Sequence, residues 1–216
     1  NISVFLTGKA GTGKTTFLKK LRERLPKRMV VLAPTGVAAI NANGQTIHSF
    51  FQLPFTPFVP GMKTDDERKH FRISKEKKNL FRTVDLLVID EVSMVRADLL
   101  DAIDATLRRY RNPLEPFGGV QLLLVGDLQQ LAPVVKDDEW QILSKYYDTP
   151  YFFGSNALKS LRYVTIELKH IYRQQDKQFI DILASIRENR VTNEVIDALN
   201  ARYIPGFSVE SDAGET

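Results

Sequence analysis

An α/β fold, with a mainly parallel central sheet flanked by helices and a loop-rich insertion, is predicted by three features of the sequence. Short unalternated apolar runs recur, amphipathic helical patterns separate them, and one long stretch breaks the alternation. Strands buried on both faces read as continuous apolar runs, and parallel strands need a crossover connection that is usually a helix. Residues 2–7 read as the first buried strand. A helix follows over 13–25, with Phe17, Leu18, Leu21 and Leu25 on one face and Pro26 stopping it. Residues 29–33 and 86–89 are the second and third strands, and 97–110 carries Leu99, Leu100, Ile103, Leu107 and Tyr110 at helical spacing. Two more strands are expected at 121–125 and 164–168. Phe179, Ile180, Leu183 and Ile186 mark another helix, and Val195, Ile196 and Leu199 one more.

The break covers residues 52–82, where Pro54, Pro57, Pro60 and Gly61 punctuate an aromatic-rich stretch followed by a charged one. Connections of that length tend to be functional or mobile. One domain over residues 1–205 is therefore expected, containing the insertion 52–82. Residues 206–216 are expected to form a frayed tail or a linker, with three acids and no base from residue 208 on. No internal repeat is present.

The chain has 216 residues, 43% apolar and 26% charged, the mix of a protein able to bury a sizeable core. The absence of cysteine excludes thiol catalysis and cysteine-ligated zinc, and three scattered histidines make a poor metal site. No apolar run approaches the ~18 residues of a membrane span. The sequence enters a strand at once, with neither an initiator Met nor a signal peptide, and reads as a piece of a longer protein. Net charge is +4, and all of it lies in residues 63–82, which hold eight Lys or Arg and four Asp or Glu. That stretch reads either as an electrostatic footprint for nucleic acid or as a solvated helical face.

After the first strand comes Gly8-Lys9-Ala10-Gly11-Thr12-Gly13-Lys14-Thr15, which fits G-x-x-x-x-G-K-[ST] with a strand before it and a helix after it. Glycines let the backbone wrap a phosphate, and the helix N-terminus adds partial positive charge. The expected nucleotide contacts are Gly8, Ala10, Gly11, Thr12, Gly13, Lys14, Thr15 and Thr16. Lys14 bridges the β- and γ-phosphates of ATP in this reading, and the Thr15 hydroxyl ligates Mg²⁺. Four apolar residues then lead into Asp90 and Glu91. Asp90 is expected to hold Mg²⁺ through its water shell, and Glu91 to polarise the attacking water as general base. The added glutamate favours hydrolysis over transfer to a small substrate. A third strand ends at Gly126-Asp127-Leu128-Gln129-Gln130. Gln130 offers an amide to a γ-phosphate or a water, and a plain polar loop is the equal alternative. Arg173, after the last strand, reads as a surface arginine or as a finger to the γ-phosphate.

In order, GKAGTGKTT, VLAPTGVAAINANGQTIHSFF, LLVIDEVSMV, PFGGVQLLLVGDLQQLAPV and LKHIYRQ resemble the motifs of petite-integration-frequency (Pif-type) DNA helicases. These are 5′-to-3′ helicases of superfamily one related to the RecD group. The resemblance covers residues 2 to about 175 and is most specific over 98–121, which looks like that family's signature helix and PFGG turn. It implies a RecA-like P-loop fold and a first motor domain whose parent couples Mg-ATP hydrolysis to single-stranded DNA translocation and duplex unwinding. Gln130 matches the family glutamine that couples nucleotide state to DNA, and Arg173 its first arginine finger. Pro34, Thr35 and Gly36 match one segment that lies along single-stranded DNA, and His48, Ser49 and Phe50 match the next.

From the residues alone, a buried histidine is the more frequent reading of His48, and the resemblance brings a strand contact level with it. Phe50, Phe51, Phe55 and Phe58 read as base-stacking groups or as a small satellite core. Residues 53–61 fall where these helicases carry a small wedge element. The resemblance further implies duplex junctions as partners, no membrane, a second motor domain in the parent chain and a monomer. Location would be the cytoplasmic nucleoid in a bacterium, or the nucleus or mitochondrion in a eukaryote. Two departures stand out: the sequence as read includes neither the family's upstream adenine-recognition segment nor its second motor domain; a local difference, Ala132 in place of a frequent second proline, is expected to be neutral. Three rivals remain at this point: a P-loop ATPase switch acting on a protein partner without tracking DNA, a nucleotide-insensitive DNA-binding module, and a kinase of small substrates.

Overall fold

A computed structural model describes residues 2–61, 73–172 and 176–205. The chain divides into two compact units, residues 1–173 and residues 174–216. The sequence reading carried one domain to residue 205, but the last two helices form a unit of their own. In that smaller unit, Lys177–Arg187 packs on Asn193–Asn200. Arg202 ties the pair by donating to Asp176 at 3.1 Å and lying 5.0 Å from the Phe179 ring.

The larger unit is built on six strands: β1 (Ser3–Gly8), β2 (Met29–Ala33), β3 (Gln45–Thr46), β4 (Leu86–Ile89), β5 (Gln121–Gly126) and β6 (Tyr163–Leu168). They form one sheet in the order β3-β2-β4-β5-β1-β6, and every neighbouring pair is parallel. Among the described residues, the helices of this unit are α1 (Lys14–Arg24), α2 (Gly36–Asn41), α3 (Ile47–Phe51), α4 (Lys75–Thr83), α5 (Ala97–Tyr110), α6 (Asp137–Leu143) and α7 (Asn156–Lys159). Strand side chains alternate between two faces, so each apolar run feeds two cores. Leu87 and Ile89 of β4, with Leu122 and Leu124 of β5, join the aromatic and helical core of Phe51, Phe81 and Ile103. Their neighbours Leu86, Val88, Leu123 and Val125 pack with Leu18 of α1 on the other face. Burial of each such side chain stabilises the fold by roughly 1.5–3 kcal/mol.

Two sequence expectations about this packing change. Phe17 is 42% exposed, and Leu18 with the partly buried Leu21 and Leu25 carries the α1 face. The strand β6 lies at the sheet edge and is exposed along most of its length, so cover on both faces holds for the central strands only.

Charged residues brace the aromatic face. Asp101 on α5 accepts from the Ser155 hydroxyl and from the Asn156 and Ala157 N–H groups, capping α7. Asp104 accepts from the Phe117 N–H, holding the turn Pro116–Gly119 in which Phe117 adopts φ 52°. Arg111 donates to the carbonyls of Phe81, Arg82 and Val84 at the end of α4 and to Gly118. The 98–121 segment that carries the family resemblance is, in this unit, a bracket between α4, α5, α7 and β5.

In the charged stretch, residues 62–72 lie outside the described residues. The remainder is α4, which buries Phe81 and sets the Lys77 ammonium 4.2 Å from the Phe50 ring.

Replacing Arg111 by alanine strands four carbonyls at once. A loss of about 2–4 kcal/mol is expected in urea unfolding, since hydrogen bonds from charged donors contribute about 1.5–3 kcal/mol and their acceptors here sit at partly buried helix ends. A second test is acid stability. Side-chain and backbone hydrogen bonds from Arg28 lower the Asp85 carboxyl from 3.8 to about 2. A lowered carboxylate stabilises the folded chain above its unfolded value and loses that contribution as pH falls. Thermal midpoints of Asp85→Asn should therefore fall less than those of the wild type between pH 4 and pH 2, with both chains measured against their own pH 7 value.

Candidate active site

The ladder sets five loops at one level. Leu32 pairs with Ile89, Ile89 with Leu124, Leu124 with Phe5, and Phe5 with Thr165. The carboxyl ends of β2, β4, β5, β1 and β6 therefore align, and Pro34, Asp90, Asp127, Lys9 and Lys169 all leave the sheet along one edge. In open parallel sheets this edge is where ligands bind.

The loop after β1 is shaped for phosphate. A Cβ at Gly8 would meet the Leu168 carbonyl at 2.6 Å and the Thr12 hydroxyl at 2.8 Å, so only a bare Cα lets the loop turn back against β6. Thr12 is buried and donates to the Lys9 carbonyl at 2.8 Å, which makes its side chain part of the loop's frame. The N-cap of α1 is Gly13, which has no side chain to occupy the first-turn N–H donors. Those donors and the helix dipole suit an anion. The Lys14 ammonium donates to the Gly8 carbonyl at 2.5 Å and to the Lys9 carbonyl at 3.1 Å, which holds it over the loop. Thr15 and Thr16 are exposed at the helix start, as is Ala10 in the loop.

Beside the loop, Asp90 extends the ladder, its N–H donating to the Leu32 carbonyl at 2.8 Å. Its own carboxylate accepts from the Glu91 N–H at 3.0 Å. Burial raises the Asp90 carboxyl above its ordinary value, with the Glu91 N–H and Lys14 opposing. Burial also raises Glu91, followed by repulsion from Asp90 and Asp127, again with Lys14 opposing. A raised carboxylate is a stronger base. Glu91 sits in left-handed backbone at φ 51°, a strained conformation for a residue with a side chain.

The turn after Glu91 touches β5. A Cβ on Gly126 would lie 3.0 Å from the Val92 side chain and 3.1 Å from its nitrogen. The next residue, Asp127, is buried and accepts from the Gln129 N–H and from the Gln130 side-chain amide at 3.0 Å. Gln130 is thus fixed at this edge by Asp127. The donor set of Thr15 hydroxyl and Asp90 carboxylate consists of hard oxygens and fits Mg²⁺.

A second surface adjoins this one. Thr35 caps α2 by accepting from the Ala38 N–H at 3.2 Å, and a Cβ on Gly36 would meet nothing within 4 Å, so the backbone there is open. Thr46 caps α3 by accepting from the Ser49 N–H at 3.3 Å, leaving Ser49 exposed. Pro34, Thr35 and His48 line one cavity of about 370 Å³. Phe50 is a correction: it is 4% exposed and packs edge-on against Phe51 and Phe81, so its ring has no face for a ligand. Its core and surface faces cannot be told apart by periodicity, because α3 is only five residues long.

The family model for PIF1-like helicases matches residues 1–197. The chain belongs to that family. The ATP-dependent DNA helicase RRM3 of Saccharomyces cerevisiae is 36% identical over 199 residues, covering 89% of this chain and 26% of that protein. The ATP-dependent DNA helicase PIF1 of Homo sapiens is 37% identical over 206 residues, covering 92% and 29%. The Pif1 helicase from Bacteroides, solved in complex with ADP-AlF3 and single-stranded DNA, superposes with a TM-score of 0.89 at 45% identity over 97% of this chain and 48% of that one. The chain thus spans about a quarter of these curated relatives and about half of the solved one.

In this PIF1-like chain, Arg173 lies outside the described residues. Its neighbour Tyr172 donates its N–H to the Gly11 carbonyl at 2.8 Å, and its ring comes within 3.9 Å of a Cβ placed on Gly13. The segment after β6 is therefore docked on the phosphate loop. Sequence reasoning missed Tyr172, Asp127 and the pair Arg96–Asp98. Asp98 is 2% exposed, accepts two hydrogen bonds from Arg96 and a third from the Phe58 N–H, and Arg96 also donates to Glu139. Nothing in their spacing separates these residues from surface charge. Strain at Glu91 yields a prediction. Glu91→Gly should raise unfolding stability by up to about 1 kcal/mol, by relieving left-handed backbone, while removing hydrolysis. Denaturant unfolding and steady-state ATP turnover check the two halves.

Proposed function

We propose that this chain is the first RecA-like motor domain of an ATP-dependent 5′-to-3′ DNA helicase. The observation that carries the reading is the alignment of Lys14, Thr15, Asp90, Glu91 and Gln130 along one sheet edge, next to the open surface at Pro34, Thr35, Gly36, His48 and Ser49. Lys14 and the α1 donors hold the β- and γ-phosphates of ATP. Thr15 and Asp90 would hold Mg²⁺, which when bound would neutralise charge building on the phosphates. Glu91 takes a proton from the attacking water, and the buried carboxylates around it keep it basic enough to do so. Gln130, fixed by Asp127, senses the γ-phosphate, and Arg173 supplies the finger.

The adjoining face grips phosphates of a single strand through backbone and hydroxyl groups, without reading sequence. A second motor domain is required to complete the nucleotide cleft and to alternate grips on the strand. The reading agrees with the single-stranded DNA and ADP-AlF3 bound by the Bacteroides relative. A nucleoid location in a bacterium, or a nuclear or mitochondrial one in a eukaryote, fits the spread of the relatives.

The test is Mg-ATP hydrolysis by the protein carrying both motor domains, with and without oligo-dT, alongside Glu91→Gln. Stimulation of at least about tenfold by the oligonucleotide is expected, with turnover in Glu91→Gln down by about 10²–10⁴ and nucleotide binding retained. Equal turnover with and without DNA would replace this reading by that of an ATPase switch on a protein partner.

A further inference from the structure

The strap that follows α3 presents an aromatic ring that the nucleotide chemistry does not use. Phe55 is 82% exposed. One face of its ring lies on the His48 imidazole, with centroids 4.6 Å apart and planes 23° from parallel. Single exposed apolar side chains are ordinary on a protein surface. A flat pair held in register is a different object, and the strap is tied at both ends of the pair. The Leu53 N–H donates to the His48 carbonyl at 3.1 Å, and the Phe58 N–H to the buried Asp98 at 2.9 Å. Arg96 fixes Asp98 through two bonds of 2.8 and 2.7 Å.

The pair also sits in the right place. His48 and Phe55 line the same cavity as Pro34, Thr35, Arg96 and Arg109. Arg109 brings positive charge to its wall, Arg96 being paired with Asp98, which also lines the cavity, and with Glu139, and Thr35 precedes the open backbone at Gly36. An aromatic plane beside the Arg109 guanidinium matches a nucleotide unit, base against ring and phosphate against cation. Burial and the nearby Arg96 push the His48 imidazole below its ordinary value, so it stacks as a neutral ring at pH 7.

We propose that the Phe55 ring, backed by His48, is a stacking platform for one base of a single-stranded nucleic acid. The proposal rests on the DNA reading above and deepens it by naming where a base, rather than a phosphate, is held. Stacking is indifferent to base identity, since every base has a π-face. Phe55 therefore adds affinity without adding sequence preference, and Arg109 supplies a salt-dependent part separately.

The experiment compares the wild type with Phe55→Ala, Phe55→Leu and Phe55→Trp by equilibrium binding of the protein carrying both motor domains. The probes are fluorescent dT15 and an abasic oligonucleotide of equal length. Stacking predicts that Phe55→Ala and Phe55→Leu weaken dT15 binding by about tenfold or more, and that Phe55→Trp restores it. Abasic binding should be the same in all four proteins, and the salt slope unchanged. Equal dT15 affinity in Phe55→Ala and the wild type would overturn the platform while leaving the DNA reading intact. Equal weakening on dT15 and abasic strands would also overturn it, because a phosphate contact or a displaced strap would then be at fault. Absence of any dT15 binding by the wild type would remove the DNA reading itself. High exposure of Phe55 makes a folding defect in these variants unexpected, and matching unfolding curves would confirm it.

Discussion

Ladder register is the constraint on which everything else at this site depends. A parallel sheet fixes the level of each strand end to its neighbours, and here Leu32, Ile89, Leu124, Phe5 and Thr165 share one line. A slip of one residue would turn every side chain to the opposite face. Ile89 would then leave the aromatic core, and Asp90 would no longer emerge beside the phosphate loop. The two cores that alternate along β4 and β5 exclude such a slip, because each residue of either register is large and apolar and already has a place. Site geometry is thus maintained by groups that never touch a nucleotide. Gly126 is the clearest case: its missing side chain lets the turn after Glu91 close on β5.

The charged residues of α5 serve the same end. Asp98, Asp101 and Asp104 all point from one helix, yet each accepts backbone N–H groups from a different segment: the strap, α7 and the PFGG turn. Arg111 closes the other end by serving the last carbonyls of α4. A buried carboxylate that holds irregular backbone replaces the ladder bonds such backbone lacks. This explains why a stretch so rich in charge is part of a fold's interior. The family-specific character of residues 98–121 is therefore carried by bracing, one step removed from the chemistry.

Much of this was legible in sequence. Apolar runs located β2 and β4 to the residue and α5 to its full length, because each is a strong periodic or continuous signal. The phosphate loop and the Asp90-Glu91 pair were readable because their chemistry demands residues in a fixed local order. The short helices α2 and α3 were not, since six and five residues cannot display a period. Their capping hydroxyls, Thr35 and Thr46, were the available signal. Phe50, Phe51 and Phe55 were indistinguishable in a loop-like string, yet two are core and one is surface. Contacts between distant segments, such as Arg96 with Glu139 or Tyr172 with Gly11, leave no local pattern at all.

Rigid and adaptable parts divide along the same edge. The phosphate side is over-determined: Lys14 bonded to two carbonyls, Thr12 buried, Glu91 held in strained backbone, and Tyr172 latched to Gly11. Strain of that kind persists only where the surroundings fix the chain. The adjoining face is built differently, from helix caps, an open glycine and a strap tied at Leu53 and Phe58 with Phe55 between them in solvent. If a strand is gripped and released there, as proposed above, it cannot be met by a surface that binds each unit tightly. In that reading, few fixed contacts and one stackable ring would give the moderate, sequence-blind hold that such movement needs. The two surfaces are joined through β2 and β4, whose ends carry Pro34 and Asp90 on adjacent strands. A shift at the carboxylates is thus one ladder step from the face that carries Pro34, Thr35 and Gly36.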